Sequence, residues 1–143
     1  MSNHDDCIFC RIAAGTAPAY LLCQDDRTMA FMDINPAARG HALVIAKAHA
    51  QNVFEITPDD LAAVAKTAQK VARAVNAVLL PQGMNLLQSN GPGAAQSVPH
   101  FHVHVLPRSL YDDLPLNWRL SPGDRRDIET LAGEIRAELA KLA

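Results

Sequence analysis

Between Pro99 and Pro107 the chain reads Pro-His-Phe-His-Val-His-Val-Leu-Pro, with a histidine at every second position from 100 to 104. Strict alternation, rich in β-branched and aromatic residues, is the pattern of a β-strand. Successive side chains on a strand point to opposite faces, so His100, His102 and His104 are expected on one face, with Phe101, Val103 and Val105 on the other. A rise of about 3.3 Å per residue sets neighbouring histidines roughly 6.6 Å apart and the outer two roughly 13 Å apart. That spread makes one shared ion difficult and suits three separate tasks along a line. Three readings are open: a polar strand face, a metal strand in which His-x-His gives two ligands, and phosphoryl chemistry in which an imidazole attacks phosphorus.

The residues just before the row favour phosphorus. Gly91-Pro92-Gly93-Ala94-Ala95-Gln96-Ser97 is a loop of small residues, and backbone N–H groups in such a loop can form an anion-binding nest. Gln96 and Ser97 add donors at its exit.

Composition sets the frame. At 143 residues, 49% hydrophobic and 20% charged, the chain matches one globular domain able to bury a core without disulfide staples. A formal charge of −2 argues against a non-specific nucleic-acid surface or membrane adhesion. No apolar run reaches the length of a membrane span, and the polar, acidic start is unlike a secretory signal, so the cytoplasm is the expected location. Of the three cysteines, Cys7 and Cys10 are spaced Cys-x-x-Cys, which fits metal binding or redox chemistry better than a disulfide framework. A structural zinc site takes four ligands, so the fold would have to bring two more. Cys23 reads as a small buried apolar side chain.

The remaining segments are assigned from local pattern. A short helix is expected from residue 7 to 14, ended by Gly15. Residues 20–24 and 28–33 read as strands around an Asp25-Asp26 turn, 41–46 as a third strand and 83–88 as a fourth, with 100–106 as the last. Asn35-Pro36 opens a loop. Thr57-Pro58-Asp59-Asp60 is a helix start: a capping hydroxyl, proline at the first helical position and two carboxylates at the positive end of the dipole. Leu61, Val64, Ala68, Val71, Val75 and Val78 then recur at helical spacing, and Pro81 ends the helix. A second amphipathic helix is expected over 124–142, with Ile128, Leu131, Ile135, Leu139 and Leu142 along one face. Tyr111 to Trp118 has no clear period and reads as an ordered loop.

The run from Gln96 to Arg108 resembles the signature of the histidine triad family of nucleotide hydrolases and transferases. The resemblance extends to Cys7-Ile8-Phe9-Cys10, to Phe31-Met32-Asp33-Ile34-Asn35-Pro36 and to Gly40-His41-Ala42-Leu43-Val44-Ile45, so it covers about residues 7–108 in the family's order. It implies an α+β fold: a five-stranded, mostly antiparallel sheet with two main helices, in a single domain over 1–143 with a C-terminal loop and helix from 109. It also implies a homodimer with the sheets side by side.

For the site, the resemblance implies that His102, the middle histidine, attacks the α-phosphorus of a nucleotide to give a nucleotidyl-histidine that water then cleaves. His104 and His41 would donate to phosphoryl oxygens. Ser97 would donate to the leaving group, and Gln96 would hold an oxygen. Phe31 and Ile34 would sandwich a purine, and Asp33 would take the ribose hydroxyls unless it merely caps the turn. Many relatives carry Asn or Gln where Ser89 stands and Gly where Ala95 stands, so Asn90 can replace Ser89 as amide donor. Zinc-bearing members imply His49 and His100 as the ligands that join Cys7 and Cys10. The expected activity is hydrolysis of purine nucleoside phosphoramidates or similar nucleotidyl conjugates. Dinucleoside polyphosphate hydrolysis and a slow nucleotide-binding regulatory module are the alternatives.

Overall fold

The computed structural model describes residues 4–142. The backbone divides into two compact units, Met1–Asp112 and Asp113–Ala143. The first carries α1 (Ile8–Ala13), β1 (Leu21–Gln24), β2 (Thr28–Met32), β3 (Ala42–Ala46), α2 (Pro58–Leu79), β4 (Gly83–Gln88), a 3₁₀ turn at Pro92–Ala94 and β5 (His102–Arg108). The strands form one sheet in the order β1-β2-β3-β5-β4, with antiparallel neighbours throughout.

The period-2 pattern of β3 divides this sheet into two faces. Ala42, Val44 and Ala46 are buried against α2 with Ala30, Phe101 and Val105. Leu43 and Ile45 face the other way, with Met29, Phe31 and the α1 residues Phe9 and Ile12. Register then places the histidines. Phe31 pairs with Leu43 and Leu43 with His104; Met29 pairs with Ile45 and Ile45 with His102. Directly paired residues share a face, so His102 and His104 stand on the α1 side beside Ile45 and Leu43.

α2 starts as its sequence predicts, Thr57 Oγ1 accepting from the N–H of Asp60 at 3.2 Å. Val64, Ala68 and Val71 are buried on its sheet face, and a fully buried valine contributes about 1.5–3 kcal/mol. Val78 does not continue this stripe, being 79% exposed. The helix also buries Thr67, whose hydroxyl meets that of Thr28 at 2.7 Å. It ends at Leu80, which adopts the left-handed conformation with φ 47°, one residue before the proline that could not continue it.

The last strand is displaced from its expected span of 100–106. His100 bends back, its N–H donating to the Val98 carbonyl, and the N–H of Phe101 leaves the ladder for the Ala50 carbonyl. Pairing with β3 begins only at His102. His100 therefore lies outside the paired strand, although its ring still packs on the α1 side, against Phe9 and the two cysteines.

In the second unit, α3 (Arg125–Lys141) is capped by Asp124, which accepts from the N–H groups of Arg126 and Asp127. Trp118 lies in this unit. No helix among the described residues is long and apolar enough to cross a membrane.

Candidate active site and the adjoining Cys–His cluster

Hydrogen bonds to the backbone fix which nitrogen of each ring carries its proton. A carbonyl oxygen only accepts, so Nδ1 of His102, 2.6 Å from the His100 carbonyl, must be the protonated nitrogen. Nε2 is left bare. The Ala37 N–H donates to Nδ1 of His41 at 3.0 Å, so neutral His41 carries its proton on Nε2 and donates to Nδ1 of His104 at 2.9 Å. His104 then carries its own proton on Nε2. Among the described residues no buried side-chain nitrogen or oxygen lacks a partner. Nε2 of His102 and of His104 have no protein partner, so both reach solvent. A bare nitrogen and an N–H thus stand side by side, on rings 4.9 Å apart.

Electrostatics keep these rings neutral. Burial lowers the pKa of His104 to about 4, and the neighbouring His102 and His41 add to the effect. Burial also holds His41 below the ordinary imidazole value, opposed by the Asp33 charge. His102 is lowered by burial against the pull of the His100 carbonyl and Asp33. A neutral imidazole with a bare nitrogen is a nucleophile at physiological pH.

Asp33, just after β2, has two roles. Oδ1 accepts from the N–H of Asn35 at 2.8 Å, capping the turn, while Oδ2 lies 3.5 Å from Nε2 of His41. Asp33, His41 and His104 are close enough to hold an ion, yet the proton on His41 Nε2 opposes it. Metal there would displace that proton, and Nδ1 already accepts from Ala37, so the ring would have to become an imidazolate.

The nucleoside candidates separate. Phe31 is 3% exposed and packed among core residues, whereas Ile34 is 73% exposed. Gln96, read from sequence as a phosphate ligand, is committed to the loop itself. Its Oε1 accepts from Gly91 N–H at 2.8 Å, and its Nε2 donates to the carbonyls of Gln51 and Val98. Asn90 is a brace as well, accepting from the Val53 N–H and exchanging amide hydrogen bonds with Gln88. Ser89, before this brace, is half-buried. Ser97 lines a hollow of about 480 Å³ with Cys7, His49 and Gln51.

His100 belongs to a second constellation. Its ring is buried, its Nε2–H donates to the Ala46 carbonyl at 2.6 Å, and its unprotonated Nδ1 points at sulfur. Cys7 Sγ and Cys10 Sγ are each 3.4 Å from that Nδ1, and His49 Nδ1 is 3.2 Å from both Cys10 Sγ and His100 Nδ1. A tetrahedral zinc with ordinary bond lengths would place nitrogen pairs about 3.3 Å apart and sulfur–nitrogen pairs about 3.5 Å apart. The donor set and its spacing therefore fit a divalent soft ion. Burial pushes the Cys10 thiol up to about 12, reinforced by Cys7, a penalty that a bound cation reverses.

Sequence reasoning named Phe9 only as part of the Cys-x-x-Cys run. The structure puts its ring edge-on against His102, with centroids 5.1 Å apart.

Comparison with known proteins agrees with this geometry. The family model described as HIT domain matches residues 14–110. A Schizosaccharomyces pombe protein named adenosine 5'-monophosphoramidase hnt1 is 35% identical over 134 residues, covering 93% of this chain and 98% of that protein. A HIT family crystal structure from Bacillus anthracis superposes with a TM-score of 0.87 at 34% identity, covering 94% of this chain and 97% of its own. A Zn-bound histidine triad family protein from Mycobacterium smegmatis superposes with a TM-score of 0.73 at 34% identity, covering 99% of this chain and 100% of its own.

Proposed function

We propose, because the chain belongs to the HIT family, that it hydrolyses purine nucleoside phosphoramidates or similar nucleotidyl conjugates at the α-phosphorus. The observation that carries this reading is the bare, solvent-reaching Nε2 of His102, held by the Nδ1–H bond to the His100 carbonyl. Nε2 attacks phosphorus, the P–N bond to the amine breaks, and a nucleotidyl-histidine forms. In this reading the Nε2–H of His104 protonates the departing amine or steadies a phosphoryl oxygen as charge develops. Water then attacks phosphorus, the new P–N bond breaks with its electron pair returning to Nε2 of His102, and the proton that the water sheds restores the Nε2–H of His104. Asp33, with Oδ2 at the edge of the site, takes the ribose hydroxyls, and Ile34 covers the base. Ser97 supplies a hydroxyl toward the leaving group.

The name of the fission yeast relative supports an amine leaving group. Cleavage of a dinucleoside polyphosphate is less favoured because the cation at the end of β5 is occupied. Arg108 grips both oxygens of Asp112 at 2.7 Å and donates to Asn85.

Cys7, Cys10, His49 and His100 would hold zinc in this reading. The ion would cross-link the start of α1 to the segment preceding β5. Its part is structural. The active form is read as a homodimer, as the family resemblance implies.

The test is hydrolysis of adenosine 5'-phosphoramidate, followed beside a diadenosine polyphosphate and beside the His102→Ala variant. Rapid release of AMP from the phosphoramidate alone supports the reading. Preference for the polyphosphate favours the second activity. Binding without turnover of either favours a nucleotide-binding module.

A further inference from the structure

We propose that Phe9 is a positioning residue for His102: its ring, set between Cys7 and Cys10 on α1, holds the imidazole in the orientation that aims Nε2 outward. The inference rests on the reading of His102 as nucleophile and adds a residue that the hydrogen-bond network does not include.

Three ring contacts carry it. Phe9 meets His102 at a centroid distance of 5.1 Å and an interplanar angle of 86°, His100 at 5.9 Å and 77°, and Phe31 at 5.4 Å and 68°. It is buried, so no water shares that flank of the imidazole. The hydrogen bond from Nδ1 to the His100 carbonyl fixes one end of the ring, but a single bond allows the ring to swing about its axis. Edge-to-face packing removes that freedom. The backing is itself anchored. The N–H of Cys10 donates to Cys7 Sγ across the first turn of α1, and both sulfurs adjoin His100 and His49. The Cys–His cluster therefore reaches the nucleophile by two routes, through the His100 backbone and through the Phe9 ring.

The test compares Phe9→Leu with Ile12→Ala. Leucine keeps an apolar side chain but loses the ring. Ile12 lies on the same helix and in the same buried cluster, without a ring contact to His102. Both proteins are studied as isolated, with metal content measured. For Phe9→Leu, kcat should fall about tenfold or more with KM within about twofold and metal retained, since small misplacements of a reacting group are costly. Ile12→Ala should keep kcat. A second readout does not need turnover: long-range ¹⁵N–¹H spectra should show one tautomer for His102 in the wild type and averaging in Phe9→Leu. Unchanged kcat in Phe9→Leu, a rise in KM alone, or an equal fall in Ile12→Ala overturns the proposal. If the wild type turns over no phosphoramidate while the tautomer averaging appears in Phe9→Leu, the proposed activity falls and the positioning role stands.

Discussion

The carbonyl oxygen of His100 accepts the Nδ1 hydrogen of His102 at 2.6 Å, while the ring of the same His100 is tied through Nε2 to the Ala46 carbonyl and through Nδ1 to the Cys–His cluster. One residue thus serves both constellations, its backbone in one and its side chain in the other. The alternation in the sequence separates into one histidine tied into the Cys–His cluster and two on the strand beside Leu43 and Ile45.

Replacing His102 by alanine should lower turnover by at least about a thousandfold, because the proposed nucleophile is gone. Nucleotide affinity should change little, since Asp33 and Ile34, the proposed ribose and base contacts, are untouched. Rapid-quench measurement of nucleotidyl-enzyme alongside equilibrium binding of AMP checks both parts. Residual turnover within tenfold of wild type would remove His102 from the nucleophile's role.

His41 sets the tautomer of its neighbour. With His41→Leu, no N–H faces Nδ1 of His104, and the proton on Nε2 that meets substrate is no longer enforced. Turnover should drop about a hundredfold for an amine leaving group, the range expected for general acid catalysis. The loss should be far smaller for a leaving group that needs no proton, such as a nitrophenolate. Equal losses on both substrates would assign His41 to phosphate binding alone.

The purified protein should carry close to one zinc per chain, and removing it with a strong chelator should lower the melting temperature by at least about 5 °C. Cys10→Ser should have the same effect without chelator. Turnover should fall in parallel, because the loop that presents the His100 carbonyl loses its anchor. Full stability and activity in metal-free protein would make the cluster incidental.

Much of this was legible in the sequence, and the reasons are local. β4 spans Gly83–Gln88 as read, and α2 starts at Pro58 behind its Thr57 cap, because proline, capping hydroxyl and periodicity are contained in a few residues. The four residues expected to hold zinc are brought together. What could not be read depends on distant partners. The departure of His100 from the strand requires the Ala50 and Ala46 carbonyls, about fifty residues away. Gln96 and Asn90 read as free amides until Gln51 and Val53 are folded against them. The packing of Phe9 on His102 joins opposite ends of the first unit, and only the cysteines on either side of Phe9 hinted at it.

Acidification should act late. The folded pKa of His104 lies near 4, against about 6.5 for a free imidazole. The proposed nucleophile, His102, is likewise held below the ordinary imidazole value by burial, so the acid limb of kcat/KM should lie below that ordinary value. Stability behaves differently. The unfolded chain takes up protons first, so the contribution of a neutral buried imidazole is complete above about pH 6.5 and is lost progressively down to about pH 4. His41, also lowered by burial, adds to that loss. Urea midpoints and initial rates over the same pH series check both curves. An acidic limb in kcat/KM centred near 6.5 would contradict the burial argument.

Ala95 closes the 3₁₀ turn at Pro92–Ala94 in the left-handed conformation, φ 57° and ψ 38°. A side chain there crowds the backbone, at a cost of roughly 1–2 kcal/mol for an L-residue, whereas glycine adopts the conformation freely. Glycine also brings more freedom to the unfolded chain, which offsets part of the relief. Ala95→Gly should therefore stabilise the protein by about 0.5–1 kcal/mol, readable as a shift in the denaturation midpoint at constant m-value. Ala95 is exposed, so no packing is lost. The turn also depends on the Gly91 carbonyl, which accepts from both Ala94 and Gln96 N–H groups, and this restraint stays intact in the variant. The turn should keep its shape, and AMP affinity should remain within about twofold. A destabilised variant, or one with much weaker nucleotide binding, would mean that the methyl group of Ala95 itself supports the loop.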